Sequence, residues 1–486
     1  MNMKKEAKTD KKELGMTAEK DDFSEWFTQL MLKAELADYT DVSGCIVFRP
    51  ASYAIWEKIK EECDSRFKKL GIKNVYFPMF IPEKLLSKEK EHVKGFSPEV
   101  AWVTEAGDSK LSERLAVRPT SEAIMYASYS KWIRSWRDLP LLLNQWNNVV
   151  RWEFKHPVPF LRTREFLWNE GHTAFASQKE ALAEKDGILG AYADVCENLL
   201  ALYGMTGRKT EKEKFAGAVF SEKIHYIMPN GKAIEGCAFH HDGQNFAKAY
   251  NIKFLDKNEK EEYAWQNTWA ISTRMLGVMF AIHSDEKGLI LPPKVAINQI
   301  AIVPILFDDS KAQVLKKANE ISNKLSKFNA FVDEREGYNP GFKFNDWEMK
   351  GVPLRIEIGP KDLKNNQVVV ARRDNGKKEN IKISELEKKV PKILEDIQKS
   401  LFERSKKLFE SKVERAETLA ALKKTIDSKK VGITPLCNKE ACEDAMKSET
   451  KGAKAIFIAD EKPKKGAKCI ICGAPAAYYV YAGKSY

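Results

Sequence analysis

The chain has 486 residues, 43% of them hydrophobic and 31% charged, with a formal net charge of +12. That length allows about three domains. No stretch reaches the roughly 18 apolar residues of a membrane span, and the start, MNMKKEAKTDKKELGMTAEK, lacks the apolar centre of an export signal. A membrane-spanning helix and a small disulfide scaffold are therefore excluded, while the basic balance suits a polyanionic partner in the cytoplasm.

Residues 1–20 read as a solvated, disordered basic tail. In SYAIWEKIKEECDSRFKKL, residues Tyr53, Trp56, Ile59, Cys63, Phe67 and Leu70 fall at helical spacing, and Gly71 supplies the stop. Extended segments are expected at 75–80, 141–154 and 166–176, with a long helix over about 178–203. Further strands are expected near 225–255, then a buried helix at 273–283. These elements do not alternate as βαβ units, so residues 21–296 are expected to form an α+β domain, an antiparallel sheet flanked by helices. From 297 the pattern changes. QIAIVPIL, AFVDER, LRIEIGP and QVVVARR read as strands and 311–328 as a helix, which together make a compact α/β domain over 297–405. Within it, Ser384-Glu385-Leu386-Glu387 has capping-box form and opens a Lys-rich helix with Leu386, Val390, Ile393, Ile397 and Leu401 on one face. Residues 406–486 form a small third unit.

Two kinds of side chain carry chemistry. Cys437 and Cys442, then Cys469 and Cys472, make two short-spaced pairs that can present four thiolates to one tetrahedral Zn²⁺. Four sulfur ligands leave no open position, so such a zinc would be structural. Cys45, Cys63, Cys196 and Cys237 are scattered and read as reduced thiols. The stretch RWEFKHPVPFLRTREFLWNEGH, residues 151–172, sets arginines among stiff aromatic and proline residues. Guanidinium forks match phosphate oxygens, so Arg151 and Arg162 are expected on two antiparallel strands joined by KHPVPFL, both reaching into one cleft.

With VRPTSEAIMY (117–126), EGCAFHHDGQNF (235–246) and WAISTRMLGVMFAIHSDEKGLILPP (269–293), this stretch makes the chain resemble class II aminoacyl-tRNA synthetases. Within them it is most similar to the prolyl-tRNA synthetase family of eukaryotic and archaeal type. The resemblance runs from about Phe23 to Tyr486. It implies a class II catalytic domain, an anticodon-binding domain and a zinc-binding C-terminal domain.

The implied activity is attachment of L-proline to tRNA(Pro) through a prolyl-adenylate made from ATP. The alternative is an inactive, synthetase-like protein that binds tRNA or regulates. The family's motifs place catalysis on Arg151 and Arg274, and ATP on these two with Arg162, Thr163, Glu235, Ala238 and Ser272. They place proline on Thr120, Glu122, Arg151, Phe166, Trp168, Glu170, His172 and His240. Glu235 is also the implied contact for Mg²⁺. Arg355, Glu357, Lys361 and Asp362 are the implied anticodon readers. A homodimer with Pro78 at its interface is implied too, and no inserted editing domain between His172 and Trp269. This chain departs from the family at Gly236-Cys237-Ala238-Phe239-His240-His241, where relatives read GGTSHH. It therefore lacks a hydroxyl at Ala238 and gains a ring at Phe239, and Glu235 stands where relatives carry Gln.

Overall fold

The computed structural model describes residues 15–92, 99–153 and 157–486. Residues 1–14 of the expected tail lie outside this range. The rest of that tail is not free. Met16 and Ala18 pack on the main core, Thr17 pairs with Gln29, and Lys20 Nζ donates to Ser284 O. Burying two apolar side chains and tying an ammonium to a carbonyl docks residues 16–20 onto the catalytic domain.

In chain order the first strands are β1 (Ala37–Tyr39), β2 (Ile46–Phe48), β3 (Lys73–Asn74), β4 (Phe80–Pro82), β5 (Trp102–Ala106) and β6 (Ser109–Val117). Next come β7 (Leu141–Val150), β8 (Glu165–Phe175), β9 (Met205–Arg208), β10 (Phe220–Ile227), β11 (Ala233–Gly243), β12 (Lys253–Leu255), β13 (Glu261–Tyr263) and β14 (Trp265–Ile271). The expected run of strands over 225–255 is interrupted by the helix Asn245–Tyr250, because Phe246, Ala247 and Tyr250 bury together against Tyr126. The expected extended segment at 75–80 is strand only from Phe80.

β7, β8, β14, β11, β10 and β9 form one antiparallel sheet, with β3 added in parallel at its β7 edge. On one side lies the helix Gln178–Asp194, started by a Ser177/Glu180 capping box. The helix Pro50–Lys69 packs on that same core through Ile55, Trp56, Ile59, Cys63 and Phe67. The other side holds the helix Glu122–Trp132 and a cavity. The sheet packs tightly where β8 and β14 cross: a Cβ at Gly171 would stand 2.1 Å from the Trp269 ring, so only glycine fits there.

The second unit contains β15 (Ile300–Pro304), β16 (Ala330–Val332), β17 (Leu354–Ile358), β18 (Gln367–Arg372) and β19 (Lys378–Lys382), in the order β16-β15-β17-β18-β19. The first three are parallel and the last two antiparallel. The Lys-rich helix runs Leu386–Ser411, past the expected boundary at 405. Its capping box does not form: Glu385 is the N-cap and makes no side-chain cap bond, because residues 383–385 wind into a 3-10 turn.

The third unit adds β20 (Val413–Arg415), β21 (Val431–Leu436), β22 (Lys454–Ile458) and β23 (Tyr478–Gly483). It is not a separate body. β22 pairs with β9 through Ile458 and Arg208, so the catalytic sheet continues into an eleven-stranded sheet ordered β20-β21-β23-β22-β9-β10-β11-β14-β8-β7-β3. Among the described residues, no helix is long and apolar enough to cross a membrane.

One buried acid beneath the sheet sets a pH dependence. Glu184 Oε2 accepts from Thr173 and Asn267, and burial, opposed by these donors and by Trp269, raises its pKa to about 7. Its folded-state pKa lies above the unfolded value of 4.5, so its contribution to stability is full below that value and is lost as pH rises through about 7. Glu184→Gln is expected to stabilise the protein at pH 8 by up to about 3 kcal/mol and by nothing at pH 4. Urea unfolding at the two pH values checks this.

Candidate active site

Strand alternation builds the first wall of the cavity. In β8 the even-numbered Phe166, Trp168, Glu170 and His172 share one face. All four line a cavity of about 420 Å³ between the sheet and the helix Glu122–Trp132. Thr120 and Glu122 enter from the start of that helix. Glu235, Ala238 and His240 come from β11, and Ser272 and Arg274 from the turn after β14. Arg151 follows β7 directly. Twelve of the expected residues are thus brought together. Arg162 and Thr163 are not among the cavity's lining residues: Thr163 is buried and Arg162 exposed.

The expected two-strand placement of the arginines is corrected here. β7 ends at Val150 and β8 begins at Glu165, so both Arg151 and Arg162 lie in the connection. Residues 154–156 of that connection lie outside the described range. Arg151 is held from three sides. Its Nε donates to Pro119 O at 2.9 Å, and its guanidinium lies 5.4 Å from the Phe166 ring and 5.2 Å from the Trp168 ring. Burial lowers its pKa, and Glu153, Glu122 and Glu170 oppose that shift. Arg274 donates to Leu161 O and Glu235 O, each at 3.1 Å.

Glu170 is the hub of the opposite wall. Ser121 (from N and Oγ), Gln145, Asn147 and His172 all direct donors at its two oxygens, and Thr120 Oγ1 stands 3.4 Å away. Burial alone would raise its pKa. The His172 ring and these hydroxyl and amide donors outweigh burial and hold it well below the ordinary carboxylate range. With its oxygens so engaged, Glu170 orients the Thr120–Glu122 triplet and leaves Glu122 as the cavity's acceptor. Thr120 Oγ1 donates to Glu122 Oε2. His240 pairs its Nδ1 with Ser221 Oγ at 2.7 Å, and burial holds its ring neutral, well below the ordinary histidine range.

Phe239 does not enter the cavity. It points to the other side of β11 and is fully buried in the core. The departure from the family's usual residues therefore reaches the cavity through Ala238 rather than through a new ring. Lys223, Phe215, Thr268 and Ala270 line the cavity as well. Lys223 sits opposite Ala238 in the β10–β11 register, a placement that only the pairing fixes.

Glu235 does not fit the expected Mg²⁺. Lys209 Nζ holds its Oε1 at 3.0 Å and Lys223 Nζ holds its Oε2 at 2.8 Å, so both oxygens are already neutralised. The four C-terminal thiols do fit zinc. Their sulfurs lie within 4.8 Å of one another, with Cys437 at 3.5 Å from Cys442 and 3.8 Å from Cys472. Sulfurs at about 2.3 Å from a tetrahedral zinc stand about 3.8 Å apart. Burial would raise the Cys469 thiol, but backbone donors from Cys472, Cys437 and Ile471 bring it down to about 7, toward the thiolate a metal takes.

In the second unit, Arg355 lines a cavity of about 210 Å³ with Trp347, Arg372, Arg373 and Lys378. Glu357 is taken up by Arg355 and Lys378. Lys361 is exposed, and Asp362 accepts from Gly359 N and so serves the backbone.

Three family models match in turn: tRNA synthetase class II core domain (G, H, P, S and T) over 102–283, anticodon binding domain over 299–393, and prolyl-tRNA synthetase, C-terminal, over 419–486. The proline--tRNA ligase of Ruminiclostridium cellulolyticum is 49% identical over 473 residues, covering 97% of this chain and 98% of that protein. This chain belongs to the prolyl-tRNA synthetase family. The proline--tRNA ligase of Natranaerobius thermophilus is 46% identical over 94% of this chain and 95% of its own length. A crystal structure of prolyl-tRNA synthetase from Cryptosporidium parvum, complexed with halofuginone and AMPPNP, superposes with a TM-score of 0.94 at 45% identity, covering 97% of this chain and all of that one. Residues 176–264 hold the helix Gln178–Asp194, β9 to β11, the helix Asn245–Tyr250 and the β12–β13 hairpin.

Proposed function

We propose that this chain joins L-proline to tRNA(Pro) in the cytoplasm by way of prolyl-adenylate. The observation that carries the reading is one cavity lined both by a buried carboxylate, Glu122, and by the arginines Arg151 and Arg274. Glu122 accepts from proline's secondary ammonium and Thr120 keeps it aimed. His240 and the walls formed by Trp168 and His172 enclose the ring. A proline carboxylate oxygen then attacks the α-phosphorus of ATP. The new P–O bond forms as the bond to pyrophosphate breaks, and the electron pair leaves with pyrophosphate. Negative charge grows on the phosphate oxygens, where Arg151 meets it, while Arg274 and the outlying Arg162 take the outer phosphates. Ser272 and Thr163 hydrogen-bond the nucleotide. No protein nucleophile takes part, so the rate comes from positioning and from preorganised charge. The terminal ribose hydroxyl of the tRNA next attacks the prolyl carbonyl and AMP leaves. Arg355, with Trp347 beside it, is the strongest of the four expected anticodon contacts, since unstacked bases are read by stacking and edge donors. Proline-dependent exchange of pyrophosphate into ATP tests the whole reading, and its absence in folded protein would overturn it.

Structural zinc on Cys437, Cys442, Cys469 and Cys472 is part of the same reading. Three of these sulfurs belong to residues in the apolar cluster of the third unit, so losing the metal loosens that cluster. Cys437→Ser or Cys472→Ser is expected to release zinc, measured by elemental analysis, and to lower the unfolding midpoint. Zinc-free parent protein of unchanged stability would remove the claim.

A homodimer is proposed around Pro78, which is exposed between Tyr76 and Phe80, themselves 68% and 45% exposed. Apolar groups left this open suit a two-fold partner surface. Sedimentation should give twice the chain mass, and Pro78→Asp with Tyr76→Asp should shift it toward the monomer.

A further inference from the structure

Lys209 lies outside the cavity, yet it is 5% exposed and, with Lys343, one of two buried lysines among the described residues. It follows β9, the strand on which the third unit adds its own sheet. Its Nζ donates to Ile456 O of β22 at 2.6 Å and to Glu235 Oε1 at 3.0 Å. Glu235 in turn holds Lys223 Nζ at 2.8 Å, and both Glu235 and Lys223 line the cavity. The junction around Lys209 is closely fitted. A Cβ at Gly207 would meet the Phe457 ring at 2.2 Å, and Thr210 donates to Glu443 of the third unit at 3.0 Å.

A carboxylate at Glu235 is an awkward group for this cavity. It stands beside Arg274, one of the arginines proposed to receive a triphosphate, and a free negative charge there would repel the substrate. Two ammonium groups cancel it, and one of them is fixed by a backbone carbonyl from a different structural unit. We propose that Lys209 is a positioning residue for ATP: anchored by the third unit at Ile456, it pins and neutralises Glu235 so that the phosphate end of the cavity stays cationic. The third unit thereby sets the affinity for ATP without touching it. Lys223, left with a shared partner, keeps its ammonium at the cavity wall. This rests on the ATP reading above. A parent protein without proline-dependent exchange would remove that reading and this one with it, whereas the variants below separate the two.

The test is steady-state pyrophosphate exchange in the full-length protein, with KM measured separately for ATP and for proline. Lys209→Met keeps the stem and removes the charge. It is expected to raise KM for ATP about tenfold while KM for proline stays within about twofold, because only the phosphate end gains a negative charge. Adding Glu235→Gln to Lys209→Met removes that charge and is expected to restore KM for ATP to the value of Glu235→Gln alone. The double variant carries no unpaired buried charge, so it keeps the question open if Lys209→Met alone fails to fold. Equal rises in both KM values would show a merely structural lysine. So would a double variant whose KM for ATP stays about tenfold above that of Glu235→Gln. Either result overturns the proposal.

Discussion

Arg151→Ala should leave a folded protein that forms almost no prolyl-adenylate. The guanidinium faces the place where charge develops on the α-phosphate, and loss of one such preorganised donor costs about 10²–10³ in rate. Its surroundings predict that lysine will not substitute. Arg151 lies against Phe166 and Trp168 and hangs from Pro119 O, an arrangement that uses a planar group and a fixed Nε donor. An ammonium has neither. The structural loss on truncation is small, because among the described residues the Arg151 side chain makes one hydrogen bond, to Pro119 O. The measurement is proline-dependent exchange with unfolding followed in parallel. Exchange within about tenfold of the parent, in folded protein, would remove Arg151 from its assigned place.

Glu170→Gln should do more damage to the fold than any other single exchange of one atom type in this cavity. The carboxylate receives only donors: Ser121 N at 3.0 Å, Gln145 Nε2 at 2.9 Å, Asn147 Nδ2 at 2.6 Å and His172 Nε2 at 3.2 Å, with Ser121 Oγ besides. An amide turns one acceptor into an NH₂ facing those donors and removes a carboxylate that, with Glu122, raises the His172 pKa. Breaking a buried, hydrogen-bonded charge pair of this kind costs about 3–5 kcal/mol. Ser121 is the middle of the Thr120–Glu122 triplet, so the proline end of the cavity is lost as well, and KM for proline should rise steeply. The pH dependence has a definite sign. The folded-state pKa of Glu170 is depressed, so its contribution to stability is present above the ordinary value of 4.5 and is lost as pH falls below it. The parent should therefore weaken on acidification more steeply than Glu170→Gln does. A variant with the parent's urea midpoint at pH 7 would show that Glu170 is not the hub described.

The sequence revealed this cavity wherever one element carried several of its residues. Phe166, Trp168, Glu170 and His172 alternate along one strand, and Thr120 and Glu122 stand at the start of one helix, but it was the resemblance to the synthetase family that assigned them to one pocket. Lys223 was missed because it reaches the cavity only through its register opposite Ala238. Glu235 was given to a metal because its two lysines are 26 and 12 residues away in the chain, and a lone acidic residue near expected phosphates invites a cation. The α/β unit was legible from its strand runs. The join between β9 and β22 was not: it consists of one paired position, Ile458 with Arg208, and local propensity carries no signal for it. The capping-box pattern at Ser384 failed for the converse reason, since a 3-10 turn satisfied those backbone groups first.

Tyr486 closes against some of the first residues described. Tyr486 N donates to Ala233 O and its hydroxyl accepts from Asn230, while its ring stands 6.5 Å from Phe23. Protein synthesis runs from the N-terminus, so the helix Phe23–Lys33 and the start of β11 leave the ribosome long before their partner exists. The central sheet can form early, but its β9 edge stays open until residues 454–486 have emerged. A polypeptide ending before residue 454 would thus lack the anchor for Lys209 and the contacts of Tyr486. The support for Lys209, and through it for Glu235 at the cavity wall, therefore comes from a segment made 247 residues later.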